Sequence, residues 1–117
     1  KLEERGDMVL EAIMLGEQVG SRYVGQSALE VCAGLMAIAD NWSCCARLYG
    51  AAQTQSSRTG FKPDAADEAF LAPLVQRARD ALAEGYELGE AQGRALTYDA
   101  AIADARACLA CLSTAPS

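Results

Sequence analysis

Histidine is absent from all 117 residues. That gap removes His-based triads, His-ligated metal sites and imidazole general bases. Val, Ile and Thr together number only 12, and aromatics make up 6%. Strands draw on β-branched and aromatic side chains, so a sheet-based domain has little to build with. There is no Asn-Gly hairpin signal, no alternating strand and no GxGxxG phosphate loop. No run approaches the ~18 consecutive apolar residues of a membrane span. What is present is alanine, 24 residues of it, in a chain that is 51% apolar. Alanine with Leu, Glu, Gln and Arg favours helix, and the composition predicts an all-α fold.

Sixteen acidic against ten basic residues leave a net charge of −6. Nucleic-acid binders carry a basic stripe that displaces counterions from phosphates. Here the bases are scattered, and residues 64–90 hold seven acids and two arginines. Direct nucleic-acid contact and a membrane partner are therefore not expected. The opening Lys1-Leu2-Glu3-Glu4-Arg5 has no initiator Met and no signal-peptide apolar region, and reads as part of a longer protein. Five cysteines, an odd number in a helical chain, suit a reducing cytoplasm better than a secreted disulfide framework.

The length fits one domain by the usual prior of ~100–200 residues. The first helix is predicted from Leu2 or Asp7 to Gln18, with Met8, Ala12, Leu15 and Val19 on one face. A second, about Arg22 to Ala39, carries Ala28, Cys32, Leu35 and Ala39, broadened by Leu29 and Met36. Asp40-Asn41 supplies capping chemistry for a third, Trp42 to Arg58, with Trp42, Cys45, Ala46, Tyr49 and Ala52 in register. Thr59 to Pro63 is the clearest loop. The fourth helix, Ala65 to about Ala83, turns Leu71, Leu74, Val75, Ala78 and Leu82 inward, and Pro73 is expected to bend it or split off its first turns. Gly85, Gly89 and Gly93 bracket a short helical piece around Tyr86 and Leu88. Thr97 caps a final helix with the stripe Tyr98, Ala101, Ile102, Ala105, Cys108 or Leu109, and Leu112. Residues 1–58 and 64–112 are expected to form one compact domain, with 113–117 a tail.

Shifting the chain by 34 residues lays Ala12-Ile-Met-Leu-Gly16 on Ala46-Arg-Leu-Tyr-Gly50. Thirty-four is the tetratricopeptide (TPR) period. Gly34 falls at the small helix-A position of that pattern and Ala46 at the small helix-B position. Glu30 stands where Trp is expected and Arg58 where Pro is expected. Small residues let helices approach closely, so Ala12, Gly16, Gly34, Ala46 and Gly50 are read as helix-packing positions. Periodicity leaves two readings open, antiparallel hairpins stacked as a TPR-like α-α superhelix fragment or a generic bundle.

Ala28 to Leu35, Ala46 to Gln53, the Gly60-to-Pro63 loop, Ala78 to Leu82 and Gly93 to Ile102 together resemble the C-terminal TPR-like region of large bacterial STAND-ATPase signalling proteins. That family includes LuxR-type transcriptional regulators and ATPase-containing adenylate or guanylate cyclases. The resemblance spans Ala28 to Leu109, and its motifs are structural. Glu90 stands where the family has Trp, Cys44-Cys45 replaces the usual helix start, and Pro73 interrupts an unbroken helix. The resemblance implies a sensor or protein-interaction module that biases a neighbouring ATPase switch.

Several constellations bear on chemistry. Cys108-Leu-Ala-Cys111 is a CxxC, and Cys44-Cys45 would complete a four-thiolate zinc set. Such sets usually sit on loop knuckles, whereas Cys108 and Cys45 fall on apolar helix stripes and read as small core hydrophobes. Glu84, Glu87 and Glu90 share one helix face, with Asp64, Asp67 and Glu68 nearby, and read as solvated. No catalytic, cofactor or metal residue is assigned. Trp42 and Tyr49 read as core, and Phe61, between Gly60 and Pro63, as an exposed anchor. Arg22, Arg47 and Arg58 are candidates for pairing with an acidic partner. An open array end predicts self-association around Met8, Ile13 and Leu15, with protein partners either neighbouring domains of the parent chain or a second copy. The expected function is a non-enzymatic regulatory or interaction module. The alternatives are a small-ligand sensor and a helical enzyme using carboxylates. A pocket with two converging carboxylates favours the enzyme; a broad groove with none favours the interaction module.

Overall fold

The computed structural model describes residues 2–20, 22–60, 62 and 65–114, and the side chains of 4–15, 18, 20, 24–60, 62 and 65–111. Six helices carry nearly all of it: α1 (Leu2–Val19), α2 (Arg22–Ile38), α3 (Trp42–Thr59), α4 (Ala65–Leu82), α5 (Glu84–Arg94) and α6 (Tyr98–Thr114). No strand occurs among the described residues. The fold is all-α with six helices, as the alanine-rich, β-poor composition predicts.

Local signals set most of the boundaries. Asn41 caps α3 by accepting from the Cys44 backbone N–H at 3.4 Å. Gly60, at φ 77°, ends α3 with its N–H on the Ser56 carbonyl. Between α2 and α3, Asn41 N–H reaches the Met36 carbonyl and Asp40 N–H the Ala37 carbonyl. That is the Schellman pattern, with Asp40 in the left-handed conformation where glycine is usual. Thr97 caps α6 through its hydroxyl, which accepts from Ala100 N–H at 3.1 Å.

The helix at Pro73 is continuous rather than split. Pro73 and Ala69, whose carbonyl loses its helical donor, both lie on the exposed side. Water therefore meets the unpaired group, and the break costs less than it would in a core. The predicted short piece around Tyr86 is an eleven-residue helix that runs through all three glycines.

Those glycines serve close approach. An ideal Cβ on Gly93 would stand 1.9 Å from the Arg47 carbonyl oxygen, and one on Gly50 would stand 2.1 Å from that of Glu90. One on Gly89 would sit 3.0 Å from the Ala46 Cβ. The face 46-47-50 of α3 thus lies backbone to backbone on the face 89-90-93 of α5, the most extensive helix pair in the molecule. Gly34 instead makes room for the Phe70 ring of α4, 2.5 Å from where its Cβ would be. Ala12 is half-buried on α1, and the surroundings of Gly16 lie outside the described residues.

The core sits on α2 and α3, with Leu29, Leu35, Met36, Leu48 and Cys45 fully enclosed. Leu71, Val75 and Ala78 of α4 and Ala101, Ile102, Ala105 and Leu109 of α6 close over them. These residues belong to the predicted stripes; Leu74, Leu82 and Tyr98 of those stripes are half-buried, and the Leu112 side chain lies outside the described residues. Helix α1 differs: Val9 and Ile13 turn inward, while Met8 and Leu15 of the predicted stripe are 69% and 53% exposed. Apolar residues at 8 and 9, 12 and 13, and 14 and 15 give this helix two overlapping stripes. The one containing Gly6, Val9 and Ile13 is buried.

Helix α6 comes back across the molecule to pack on α1, α2 and α3. In a solenoid each unit touches only its neighbours, so this return closes the array into a globule. Its radius of gyration is 12.9 Å, against about 13 Å for one domain of this size.

Candidate functional site

Two places combine exposure with an unusual set of side chains. The first is a groove of about 360 Å³ between α1 and α2. Met8 and Ala12 form one wall, Val24 and Val31 the other, and Ser27 supplies the single polar side chain. No charged residue lines it among the described residues. Val31 is partly exposed, and Met14 and Leu15 extend the apolar surface along α1. The groove exists because α1 commits only one of its two stripes to the core.

The second place lies between α3 and α6. The Asn41 cap sets Cys44 in the first turn of α3, where the helix end is electropositive. Arg47 follows one turn later. Its Nε donates to Asp104 Oδ2 at 3.0 Å and its Nη2 to Oδ1 at 3.2 Å, a two-pronged pair. The same Nη2 lies 3.3 Å from Cys44 Sγ and 3.9 Å from Cys108 Sγ. Cys108 Sγ is itself 3.9 Å from Asp104 Oδ1. Cys108 is buried, Cys44 is 9% exposed, and Arg47 and Asp104 form a half-open rim above them.

Electrostatics divide the two thiols. Donation from Cys108, and then the Arg47 guanidinium, hold the Cys44 thiol well below the ordinary range, against burial and Asp104. The bond to Cys44, and then burial, raise the Cys108 thiol. The pair therefore gives up its first proton early and its second late. Burial raises Cys32 and takes Cys45 up to about 12. Hydrogen bonding to Asp104 strengthens the protonation of Arg47.

A smaller cleft of about 260 Å³ opens between α2, α3 and α4, with Glu30, Tyr49, Gln53, Glu68 and Leu71 in its walls. Glu30 is buried and engaged by another group, while Glu68 is exposed. Ligand pockets typically begin near 300 Å³.

The residues singled out from sequence are dispersed. Met8 and Leu15 are exposed on α1, but Ile13, at 1% exposure, is a core residue and offers nothing to a partner. Arg58 is exposed at the end of α3. Arg47 pairs within the chain, so it is not a free contact for an acidic partner. Phe61 and the Arg22 side chain lie outside the described residues. Trp42 is half-buried with Arg77 over its ring at 5.7 Å, and Tyr49 borders the small cleft. Cys108 and Cys111 face different ways, one buried and one exposed, so the CxxC does not converge. Glu84 and Glu87 are exposed, while Glu90 contacts Arg94 and Arg79.

Sequence reading missed the Arg47–Asp104 pair and the convergence of Cys44 and Cys108 on the Arg47 guanidinium. The available signal was spacing: Arg47 three residues after Cys44, and Asp104 four before Cys108, each one turn away on the polar margin of a stripe. No known family model, curated protein or solved structure matches the chain. No helix of the described residues is long and apolar enough to cross a membrane.

Proposed function

We propose that the chain is a non-catalytic protein-interaction module of TPR-like ancestry in a multidomain bacterial signal-transduction or transcription regulator, and that its docking face is the α1–α2 groove. The observation that carries this reading is the groove itself, apolar and without a charged lining residue among the described residues. A broad groove of this kind is what an interaction module needs. The bacterial signalling context rests on the resemblance of Ala46 to Gln53 and Gly93 to Ile102. These two segments face each other across the α3–α5 contact through Gly50 and Gly93.

The occupant is a second copy of the chain. Arg5 lies three residues before Met8 and Glu11 three after it, and both are exposed. Antiparallel pairing of two α1 helices about Met8 sets Arg5 of each copy opposite Glu11 of the other, with Met8 on the axis. The 18-residue helix is roughly 27 Å long and a helix pair roughly 20 Å wide. Such a face lies at the lower end of stable interfaces, the size of weak and transient encounters. Light scattering over rising concentration should show the mass climbing from 12.3 kDa towards twice that. Met8→Glu should hold it at the monomer, while Leu88→Glu, on exposed α5 surface, should leave the rise intact. A wild-type monomer at the highest concentration reached would overturn the proposal.

A further inference from the structure

Four of the five cysteines are buried, and one of these four, Cys44, combines a helix N-terminal position, a guanidinium at 3.3 Å and an opening to solvent. Cys32 and Cys45 have no exposed surface. Cys111 is exposed on the outer side of α6. From α6, Cys44 faces Cys108 and Asp104; from α2, Cys32; on its own helix, Cys45 and Arg47. The nucleophilic form of a cysteine is the thiolate, and nearby cations and helix N-termini stabilise it. A second thiol beside the first supplies the partner that resolves an oxidised sulfur.

We propose that Cys44 and Cys108 form a peroxide-oxidisable pair, with Cys44 the attacking thiolate and Cys108 the resolving thiol, whose disulfide ties α3 to α6. In the first step the Cys44 sulfur attacks one oxygen of hydrogen peroxide or an alkyl hydroperoxide. The O–O bond breaks, Cys44 becomes a sulfenic acid, and the departing hydroxide or alkoxide takes up a proton as water or alcohol. Arg47 stands over this sulfur and offers its N–H to the leaving oxygen. In the second step Cys108 Sγ attacks Cys44 Sγ. The S–S bond forms, the S–O bond breaks, and the hydroxide leaves as water, carrying the Cys108 proton relayed through Asp104. Asp104 Oδ1, 3.9 Å from Cys108 Sγ, is placed to accept that proton. Overall, two thiols lose two hydrogens and one peroxide is reduced.

The test treats the reduced full chain with limiting hydrogen peroxide near neutral pH, followed by intact mass and peptide mapping. The expected product is a monomer lighter by two hydrogens, carrying a Cys44–Cys108 cross-link. Cys108→Ser should stop at the first step and yield a sulfenic acid at Cys44 that a dimedone probe traps. Arg47→Gln should slow wild-type oxidation roughly tenfold at neutral pH, because less Cys44 is thiolate. That variant also loses the bond to Asp104, so a second readout uses the unaltered protein. The pH profile of Cys44 alkylation should show an inflection well below the ~8.5 of a free thiol. Oxidation mapping to Cys111 or Cys45 with Cys44 left as a thiol, or a Cys44 alkylation profile at the free-thiol value, would overturn the proposal.

Discussion

At the scale of single residues, the buried acids decide how stability depends on pH. Burial raises Cys32, Cys45 and the Tyr86 phenol, and the bond to Cys44 together with burial raises Cys108. A group that holds its proton more tightly when folded gives stability that is complete below its unfolded pKa and drains away above it. Unfolded thiols titrate near ~8.5 and unfolded tyrosine near ~10. Cys44 has the opposite sign: its contribution is present above the unfolded value and is lost as pH falls through its lowered folded value. Under reducing conditions the melting temperature should therefore fall steadily from about pH 9 to pH 11. Cys44→Ser should abolish the gain between its folded value and pH ~8.5 and should also shallow the alkaline fall, because it removes the thiol that raises Cys108. A melting temperature flat across the alkaline range would contradict the burial described for these thiols. At this scale the sequence was informative about the buried thiols and not about the polar pair beside them. Cys45 and Cys108 fall on apolar stripes and are buried, but the partner of Arg47 was hidden 57 positions away at Asp104. Spacing along one helix does not reveal which residue of another helix it will face.

At the scale of elements, α5 makes opposite predictions for two similar substitutions. Gly85 has only the Leu82 Cβ near its open side, at 3.9 Å, whereas Gly93 has the Arg47 backbone where a Cβ would go. Gly85→Ala should therefore stabilise by about 0.5–1 kcal/mol through helix propensity. Gly93→Ala should destabilise by about 2–3 kcal/mol, because α3 and α5 must move apart. Denaturant midpoints of the two variants, measured side by side, check this; equal and small effects would contradict the close α3–α5 approach. Helix limits were largely legible because Asn41, Gly60 and Thr97 are local signals with local consequences. One element-level expectation failed and another was narrowed, each for a physical reason. Pro73 does not divide α4, since its defect faces water. The apolar pattern of α1 could not say which of two stripes faces the core, since adjacent apolar residues at 8 and 9 serve both.

At the scale of the whole molecule, the departure from an open array is the return of α6 to α1, α2 and α3. Nothing periodic encodes it, because a stripe shows that a helix is buried and not what buries it. Closure leaves α1 with one satisfied stripe and one uncovered, and the uncovered stripe forms the α1–α2 groove. Pairing of two copies across that groove is the central claim, and reversal of the flanking charges tests it most directly. The measurement is the dimer dissociation constant, by sedimentation equilibrium, of Arg5→Glu, Glu11→Arg and the double variant. Each single change sets like charges opposite one another and should weaken the dimer several-fold, while the double change should restore wild-type affinity. Single variants that associate like wild type, or a double variant as weak as the singles, would contradict antiparallel pairing about Met8.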